Sequence, residues 1–381
     1  MINLLTVIGA RPQIIKAAAI SRAVKNHFTD HIEEKILHTG QHYDANMSQV
    51  FFDELGIPQP DYNLGVGSGK HGEQTAKMIA GIERILQDDQ FDGVILYGDT
   101  NSTLAGAIAA SKIHVPVFHI EAGLRSFNMA MPEEINRIVC DQLSSILFPP
   151  TETGYQNLVR EGFLNSESRF KNGKSRKVVK SGDVMYDNSL YFASMAEQKT
   201  DILKRYNLKK NEFVLTTIHR DNNTDNPGRL TSIFKALLDI SENEKIKVVL
   251  PLHPRTAKLL EKNVVVDVYK RLISSSFIQL IPPASFFEII ALEKNAKIVM
   301  TDSGGVQKEA FFFDKPCVIF RPETEWVEII KYGAGVIADA DYQRIVDGYY
   351  NLIGKNVKFP PLFGDANAAQ HILESIIEYL A

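Results

Sequence analysis

The sequence predicts an α/β fold made of two similar domains, each with a parallel β-sheet. Short apolar runs rich in Val, Ile and Phe alternate with helical patterns along the whole chain. This alternation is typical of parallel strands joined by crossover helices. A polar segment at residues 165–177 interrupts it, and a length of 381 residues is sufficient for two domains. We therefore expect one sheet on each side of that segment.

The predicted strands are short buried runs that end in polar residues. In the first domain they are Leu4–Ile8, Ile36–Thr39, Val94–Tyr97, Val117–Ile120 and Ile146–Phe148. In the second domain they are Phe213–Ile218, Val248–Leu252, Phe277–Ile281, Lys297–Thr301 and Cys317–Phe320. We assign residues 1–175 to the first domain and residues 176–364 to the second. Residues 365–381 are predicted to form a terminal helix, because apolar residues recur there at helical spacing.

The charge and the cysteines exclude several classes of function. Lys and Arg number 42 against 46 Asp and Glu, a net charge of −4, so no large positive field favours nucleic acid or an anionic membrane. Cys140 and Cys317 lie in no Cys or His cluster, which predicts buried thiols and no metal site. The apolar start at Ile2–Ile8 is too short for a signal peptide or a membrane span. We expect a cytoplasmic protein.

The segment after the first strand predicts an anion-binding site. Ligands of open parallel sheets bind beyond the carboxyl ends of the strands. Here Gly9 opens a turn into a helix whose first turns carry Arg11 and Lys16. A helix N-terminus beside cations binds anions readily, although a turn glycine with solvated charges explains the same residues. The motif is not G-x-G-x-x-G, so no nicotinamide cofactor is expected.

Three carboxylates occupy comparable places in the first domain. Asp99 follows the third predicted strand, Glu121 follows the fourth, and Glu133 lies in the first turn of the next helix. A carboxylate is costly to bury without a partner. The coincidence of all three in segments that follow the strands of one sheet favours an acid–base site.

Each of these carboxylates also has an ordinary structural explanation. Asp99 or Thr100 would serve as a helix N-cap worth about 1 kcal/mol. Glu121 would form an ion pair with Arg125. Glu133 lies four residues before an arginine, Arg137, which is the spacing of a surface ion pair on a helix.

The second domain contains a predicted phosphate site. Ser303, Gly304 and Gly305 follow a strand and open a helix. Glycines let backbone N–H groups approach a phosphate closely, and the serine hydroxyl adds a donor. Glu309 lies one to two helical turns later, where a carboxylate would accept both hydroxyls of a ribose, although a solvated helix residue is the simpler explanation.

Two histidines and an aromatic pair complete the candidates of the second domain. His219 and His253 each end a predicted strand with an arginine nearby. A lone histidine is more often structural than catalytic, but the repetition favours function. Phe286, beside Phe287, would offer a ring to a nucleotide base or belong to the core.

Six short motifs occur in order along the chain: Gly9–Pro12, Gly98–Thr100, His119–Arg125, Pro132–Arg137, His219–Arg220 and Asp302–Gly305. Together they resemble the non-hydrolysing UDP-N-acetylglucosamine 2-epimerases over essentially the whole chain. The resemblance implies two Rossmann-like domains in a glycosyltransferase-B-type arrangement, with the site in the interdomain cleft and the terminal helix packed back on the first domain. It also implies a homodimer, a UDP-linked N-acetylated hexosamine as substrate and no cofactor.

The resemblance also implies a role for each candidate residue. Those implied to be catalytic are Asp99, Glu121, Glu133 and His219, the last near the leaving diphosphate. Those implied to bind the nucleotide sugar are Arg11, Lys16, Arg137, His253, Phe286, Ser303, Gly304, Gly305 and Glu309.

The implied reaction explains why these residue types are needed. The hydrogen on carbon 2 of the sugar is hardly acidic, because no carbonyl is adjacent to it. The family's route eliminates UDP to give a 2-acetamidoglucal and then adds UDP back with a proton on the other face. This needs a base, an acid and cations for the departing diphosphate.

Two segments bear on the substrate. Gln41–Gln49 differs from members that a second substrate molecule activates. Arg125–Glu133 resembles the branch that acts on UDP-2,3-diacetamido-2,3-dideoxyglucuronate for O-antigen synthesis, and Arg125, Arg220 and Arg321 are candidate partners for the carboxylate of that sugar. UDP-N-acetylglucosamine is the first expectation and the diacetamido sugar the alternative. The rival classes are a retaining UDP-sugar glycosyltransferase, a hydrolysing epimerase and a non-catalytic nucleotide-sugar sensor.

Overall fold

The chain folds into two compact α/β units. The computed structural model describes residues 1–41, 56–165, 170, 173–252 and 254–381. The first unit consists of residues 1–188 and 361–381, and the second of residues 189–360. Each unit is built on one parallel sheet, so the predicted fold class is confirmed. None of the described helices is long and apolar enough to cross a membrane.

The first unit extends beyond residue 175, where the sequence placed its end. The strand Lys177–Val178 pairs with the strand Ile146–Phe148 and so continues the first sheet after the polar segment. Further on, the side-chain amide of Asn188 donates a hydrogen bond to the carbonyl oxygen of Ile15. These contacts hold the following residues in the first unit as far as Asn188.

The first sheet has the strand order β3-β2-β1-β4-β5-β6-β7. Its strands are β1 Ile2–Ile8, β2 Ile32–His38, β3 Tyr62–Asn63, β4 Gly93–Tyr97, β5 Val117–Ile120, β6 Ile146–Phe148 and β7 Lys177–Val178. The longer strands coincide with the predicted apolar runs. β3 and β7 each have two residues and lie at the sheet edges, so no apolar run in the sequence predicts them.

The helices of the first unit cover the two faces of this sheet. They are α1 Arg11–Ala23, followed by a π-helical turn at Val24–Phe28, α2 His71–Asp88, α3 Asn101–Lys112, α4 Pro132–Leu143, α5 Glu152–Arg160 with a 3₁₀ turn at Phe163–Asn165, and the first part of α6 Val184–Lys199. Small residues on α3, including Ala105 and Ala109, are fully buried against β4 and α2. This close approach explains the run of alanines that follows Thr103.

The second sheet repeats the topology of the first, with the order β10-β9-β8-β11-β12-β13. Its strands are β8 Phe213–Thr217, β9 Lys247–Pro251, β10 Ile278–Ile281, β11 Ile298–Thr301, β12 Cys317–Ile319 and β13 Gly335–Ile337. Its helices, after the second part of α6, are α7 Ile202–Arg205, α8 Asp221–Thr224, α9 Pro227–Glu244, α10 Pro254–Asn263, α11 Val266–Ser274, α12 Phe286–Asn295, α13 Gly304–Phe312, α14 Val327–Lys331 and α15 Tyr342–Ile353.

Both sheets reverse their strand order at the first strand, which creates a topological switch point. In the first unit the switch lies between β1 and β4, and in the second it lies between β8 and β11. Loops that leave the sheet there diverge and open a crevice for a ligand. The segments that follow these four strands include Arg11, Asp99, His219 and Ser303. The fold thus places these four predicted candidates in segments that leave the sheets at the switch points.

The terminal helix, α16 Ala368–Leu380, belongs to the first unit. Ile372, Leu373 and Ile376 are fully buried. The Asp187 carboxylate accepts hydrogen bonds from the backbone N–H groups of Ala368 at 3.1 Å and Ala369 at 2.8 Å. A carboxylate at a helix N-terminus satisfies otherwise unpaired donors, so the apolar face and the N-terminus of the helix are both anchored.

We expect Gly123→Ala to destabilise the first unit far more than Gly162→Ala. Both glycines have positive φ, 75° and 83°, which costs an alanine about 1 kcal/mol. A Cβ at residue 123 would also lie 2.3 Å from the carbonyl oxygen of Gly154, whereas nothing lies within 4 Å at residue 162. Overpacking adds a further 1–3 kcal/mol or so.

Hydrogen exchange of β5 and β6 in the two variants measures this difference. Equal protection in Gly123→Ala and Gly162→Ala would show that the backbone near Gly154 yields without cost.

Candidate active site

A buried glutamine joins the two loops at the first switch point. The Gln13 side-chain oxygen accepts hydrogen bonds from the backbone N–H groups of Gly9 at 2.9 Å and Ala10 at 3.2 Å. Its amide donates to the carbonyl oxygen of Tyr97 at 2.9 Å and to the hydroxyl of Thr103 at 3.0 Å. The turn that precedes Arg11 is therefore pinned to the end of β4. A glutamine within a helix carries no signal of burial, so the sequence does not predict this role for Gln13.

Asp99 is available for chemistry because its neighbour caps the helix. The Thr100 side chain accepts from the backbone N–H of Thr103 at the start of α3. Asp99 instead forms an ion pair with Arg137. Thr100, and not Asp99, is therefore the N-cap of α3.

Glu121 stands in a left-handed turn at the end of β5. Its φ is 71°, a conformation that is unfavourable for a residue with a Cβ and is often found at functional sites. The carboxylate is largely buried and forms an ion pair with Lys16. The alternative pair with Arg125 is wrong, since the guanidinium of Arg125 pairs with Asp141 and Glu161.

The first turn of α4 contains one exposed and one buried carboxylate. Glu133 is exposed, whereas Glu134 is fully buried. Glu134 accepts from the backbone N–H groups of Ser126 and Phe127 and pairs with Arg137 at 2.6 Å. Arg137 thus pairs with Glu134 and Asp99 instead of Glu133, so the i,i+4 alternative is wrong. Glu134 lies within the motif Pro132–Arg137, but the sequence gives no indication of its burial.

Neighbouring charges act on the protonation of Asp99. Burial raises the pKa of Asp99 above its usual value, and the charges of Arg137 and Lys16 oppose this rise. Glu121 and Glu133 raise the pKa of Asp99 further. Two cations and two further carboxylates selected from the sequence therefore all act on Asp99.

In the second unit a buried aspartate orients His219. Asp302 is fully buried and accepts from the backbone N–H groups of His219 at 3.1 Å and Arg220 at 3.1 Å. It also lies 3.2 Å from Nδ1 of His219, whose side chain is 45% exposed. Burial raises the pKa of Asp302, but the hydrogen bond and charge of His219, together with hydrogen bonds from Asn223 and the backbone of Arg220, lower the pKa below its usual value. The sequence motif contained Asp302, but only the fold reveals this contact.

The N-terminus of α13 follows β11 with an exposed glycine. The Ser303 side chain accepts from the backbone N–H of Val306. Gly305 is exposed, and a Cβ there would meet only the Ser303 hydroxyl, at 3.9 Å. Gly304 is buried, and a Cβ there would lie 2.2 Å from a carboxylate oxygen of Glu325. The helix terminus thus already has a carboxylate beside it, which is the charge that such a terminus favours.

Glu309, selected as a ribose ligand, lies beside a second glutamate. Glu293 on α12 is fully buried. Burial, together with the negative charge of Glu309, raises the pKa of Glu293 well above its usual value. A protonated Glu293 would leave Glu309 as the carboxylate of the pair.

The remaining candidates lie in different surroundings. Arg11 is exposed at the first residue of α1. Phe286 is 7% exposed and packs edge-on against Phe192 and Phe287, with ring centroids 5.0 and 5.7 Å apart. The aromatic cluster around Phe286 is thus part of the core of the second unit. His253 lies outside the described residues.

No group of three or more His, Cys, Asp and Glu residues in the described ranges has the arrangement of a metal site. Cys140 and Cys317 are both buried thiols, as their sequence surroundings predicted.

The chain is similar to known UDP-sugar 2-epimerases. A family model described as UDP-N-acetylglucosamine 2-epimerase matches residues 24–377. A Pseudomonas aeruginosa protein, named UDP-2,3-diacetamido-2,3-dideoxy-D-glucuronate 2-epimerase, is 48% identical over 373 residues, which cover 98% of each chain.

Two solved structures bear on the fold. The Methanocaldococcus jannaschii UDP-GlcNAc 2-epimerase in complex with UDP-GlcNAc and UDP has a TM-score of 0.82 and 38% identity, over 99% of this chain and 100% of that one. Phytolacca americana UGT2, complexed with UDP-2-fluoro-glucose and pterostilbene, has a TM-score of 0.60 and 11% identity, over 98% and 93%. The second likeness shows the fold alone.

We expect acid to loosen the turn that holds His219. The pKa of Asp302 is below its usual value of 3.8 in the folded chain, so its stabilising effect is complete above that value and is lost as the pH falls through the folded pKa. Hydrogen exchange of the His219 and Arg220 amides should accelerate in this acid range, beyond the intrinsic pH dependence of exchange.

Asp302→Asn should accelerate the same amides at neutral pH, because a neutral amide accepts more weakly than a carboxylate. Asp201→Asn is the matched control, since Asp201 is exposed and forms an ion pair with Arg205. Equal exchange in the two variants would contradict the role of Asp302.

Proposed function

The chain belongs to the UDP-N-acetylglucosamine 2-epimerase family, and we propose that it interconverts UDP-N-acetylglucosamine and UDP-N-acetylmannosamine. The observation that carries this proposal is the group of carboxylates Asp99, Glu121 and Glu133, which interact with one another and with the cations Lys16 and Arg137. Such a group can hold and release protons while it neutralises a departing anion.

The proposed reaction inverts carbon 2 without a redox step. A carboxylate removes the proton on carbon 2 while the bond between carbon 1 and the diphosphate oxygen breaks. The electron pair of the bond between carbon 2 and hydrogen forms a double bond between carbons 1 and 2, which gives a 2-acetamidoglucal. UDP leaves with the electron pair of the bond between carbon 1 and oxygen. UDP then adds back to carbon 1 as a proton is delivered to the opposite face of carbon 2. No cofactor is required.

The surroundings of the carboxylates favour a division of roles. Glu121 is held as an ion pair by Lys16, which suits the group that starts as a base. Asp99, whose pKa is raised by burial, suits a group that keeps a proton and delivers it. Glu133 is exposed in the first turn of α4, where it would serve the second proton transfer.

Residues of the second unit are proposed to bind UDP. His219, oriented by Asp302, would donate to the diphosphate as charge develops on it. Backbone N–H groups at Gly304 and Gly305, with the Ser303 hydroxyl, would hold a phosphate at the N-terminus of α13. Glu309 would accept the ribose hydroxyls.

Arg11 of the first unit is a further proposed phosphate ligand, since it is exposed at a helix N-terminus. Phe286 and His253 stay proposed contacts of the nucleotide. The burial of Phe286 limits that contact to its small exposed edge.

UDP-2,3-diacetamido-2,3-dideoxyglucuronate is the second candidate substrate. The 48% identity to the Pseudomonas aeruginosa enzyme favours it. The additional carboxylate of that sugar would need a cation. Arg125 is already paired with Asp141 and Glu161, and Arg321 with Glu325, whereas Arg220 is exposed. Arg220 is thus the better candidate of the three.

A retaining glycosyltransferase would share this fold, as the likeness to the Phytolacca americana protein illustrates. Three interacting carboxylates are more than a transferase needs, so the epimerase is favoured. We further propose that the enzyme is a cytoplasmic homodimer that supplies cell-surface polysaccharide synthesis, including O-antigen. Light scattering of the purified chain tests the homodimer.

Proton NMR in heavy water tests the proposed activity. The protein is incubated with UDP-N-acetylglucosamine and, separately, with the 2,3-diacetamido glucuronate analogue. Deuterium at carbon 2 of a UDP-linked manno product identifies the substrate. Release of free sugar and UDP would favour a hydrolysing epimerase, and no change with either compound would contradict the proposal.

We expect Asp99→Asn, Glu121→Gln and Glu133→Gln each to lower kcat by at least about 100-fold, because general acid–base catalysis contributes on that order. Folding should be retained, since an amide replaces each carboxylate at nearly the same volume. Glu152→Gln is the control, as this exposed carboxylate of the same unit pairs with Lys180. An active Glu121→Gln enzyme would refute the assignment.

We expect Gly305→Ala to weaken UDP binding without lowering stability. The position has open space for a Cβ in the folded chain, so the added methyl would obstruct only a phosphate brought close to the backbone. Gly228→Ala is the matched control, because Gly228 also lies in the first turn of a helix and its Cβ would meet only the Asn226 side chain at 3.4 Å. Titration calorimetry with UDP measures both variants, and unchanged affinity in Gly305→Ala would exclude this phosphate position.

A further inference from the structure

A buried histidine connects the two turns that carry Asp99 and Glu121. His119 lies in β5 and is 0% exposed. Its Nε2 is 2.8 Å from the carbonyl oxygen of Gly98, and its Nδ1 is 2.7 Å from Oδ1 of Asp141. The proposed reaction makes no direct use of this imidazole, yet both of its nitrogens have partners.

Both partners of the imidazole accept hydrogen bonds. A carbonyl oxygen has no hydrogen to donate, so Nε2 must carry one. The second oxygen of Asp141, Oδ2, accepts from the backbone N–H of Gly123 at 3.1 Å and pairs with Arg125 at 2.7 Å. Asp141 is therefore an ionised acceptor, and Nδ1 of His119 must carry a hydrogen as well.

Opposite charges surround the imidazole. His119, Arg125 and Asp141 form a buried cluster, Arg125 also pairs with the exposed Glu161, and the charge of the partly buried Arg176 also acts on Asp141. Burial alone would lower the pKa of His119, but Cys140 and Asp141 raise it well above its usual value. Burial raises the pKa of Asp141, but His119 and Arg125 bring it below its usual value. Both directions agree with the hydrogen-bond geometry.

The cluster contacts the backbone of two glycines near Glu121, a residue whose own conformation is unfavourable. Gly98, Glu121 and Gly123 all have positive φ, at 62°, 71° and 75°. A residue with a Cβ, such as Glu121, persists there only when its surroundings hold it. The backbone N–H groups of Glu121 and Ala122 donate to the carbonyl oxygen of Phe148, and the cluster supplies the contacts at Gly98 and Gly123.

We propose that His119, doubly protonated and held by Asp141, is a positioning residue that fixes the turn of Asp99 relative to the turn of Glu121. The inference rests on the proposed function of those carboxylates. His119 is not itself catalytic, because its buried ring acts only through Gly98 and Asp141. One hydrogen bond of the ring reaches each turn, directly at Gly98 and through Asp141 at Gly123. Two groups that exchange protons with one carbon atom need such a fixed separation.

The protonation state of His119 is tested in the wild-type protein without substrate. In protein labelled with ¹⁵N-histidine, long-range ¹H–¹⁵N correlation should show one ring with both nitrogens protonated above the usual histidine pKa of 6.5. The signals should be absent from His119→Gln and present in His27→Gln, since His27 is exposed on the same unit. A neutral ring for His119 at pH 7 would overturn the proposal.

The effect of a His119 substitution on kcat distinguishes a positioning role of this residue from a purely stabilising one. Glutamine can donate to only one of the two acceptors at a time, so the two turns lose their link. We expect His119→Gln to lower kcat about 100-fold, the scale of a displacement near 1 Å. KM and UDP affinity should change by less than about threefold, since the UDP ligands are largely in the second unit. His27→Gln should behave as wild type.

Asp141→Asn provides a second, independent variant. If His119 and Asp141 act as one unit, the double variant should lose no more kcat than either single variant. Additive losses, or wild-type kcat in a folded His119→Gln protein, would overturn the proposal. An inactive wild type would instead refute the proposed function and leave the NMR result for His119 standing on its own.

Discussion

Burying charge at the end of a parallel sheet is the constraint on which the candidate site depends. A carboxylate withdrawn from water needs a cation or several hydrogen bonds. The first unit meets this need with Lys16 at Glu121 and with Arg137 at Asp99. In both pairs the charge of the cation offsets the cost of burying the carboxylate.

The buried residues His119, Arg125 and Asp141 of the first unit meet the same constraint. Arg125 would be a natural ligand for an acidic sugar by its position in the sequence, but its side chain is 2% exposed and pairs with Asp141 and Glu161. Its charge is therefore used within the protein, where it keeps Asp141 ionised beside His119. Arg220, in the second unit, is exposed instead.

The second unit also has a buried aspartate that holds a histidine, at its own switch point. Asp302, fully buried at the end of β11, accepts from two backbone N–H groups and from His219. The first unit likewise uses Asp141 to hold a histidine and a backbone N–H. In each unit a buried carboxylate fixes a turn that carries a proposed functional residue. A buried aspartate beside a histidine is thus a structural element common to both halves.

The sequence by itself determined the elements and the residue types of the site. Apolar runs at β1, β4, β8 and β11 were recognisable because a strand covered on both faces must be apolar throughout. The polar residues that follow these strands were recognisable because they contrast with the apolar runs. Two-residue strands such as β3 and β7 left no such pattern.

Only the tertiary structure decided which charges pair. Local spacing suggested Glu121 with Arg125 and Glu133 with Arg137, yet Glu121 pairs with Lys16, 105 residues away, and Arg137 with Asp99. Parallel strands bring distant loops to one edge of the sheet, so the partner of a buried charge is set by strand order. Strand order is a property of the whole fold, and no segment of the sequence contains it.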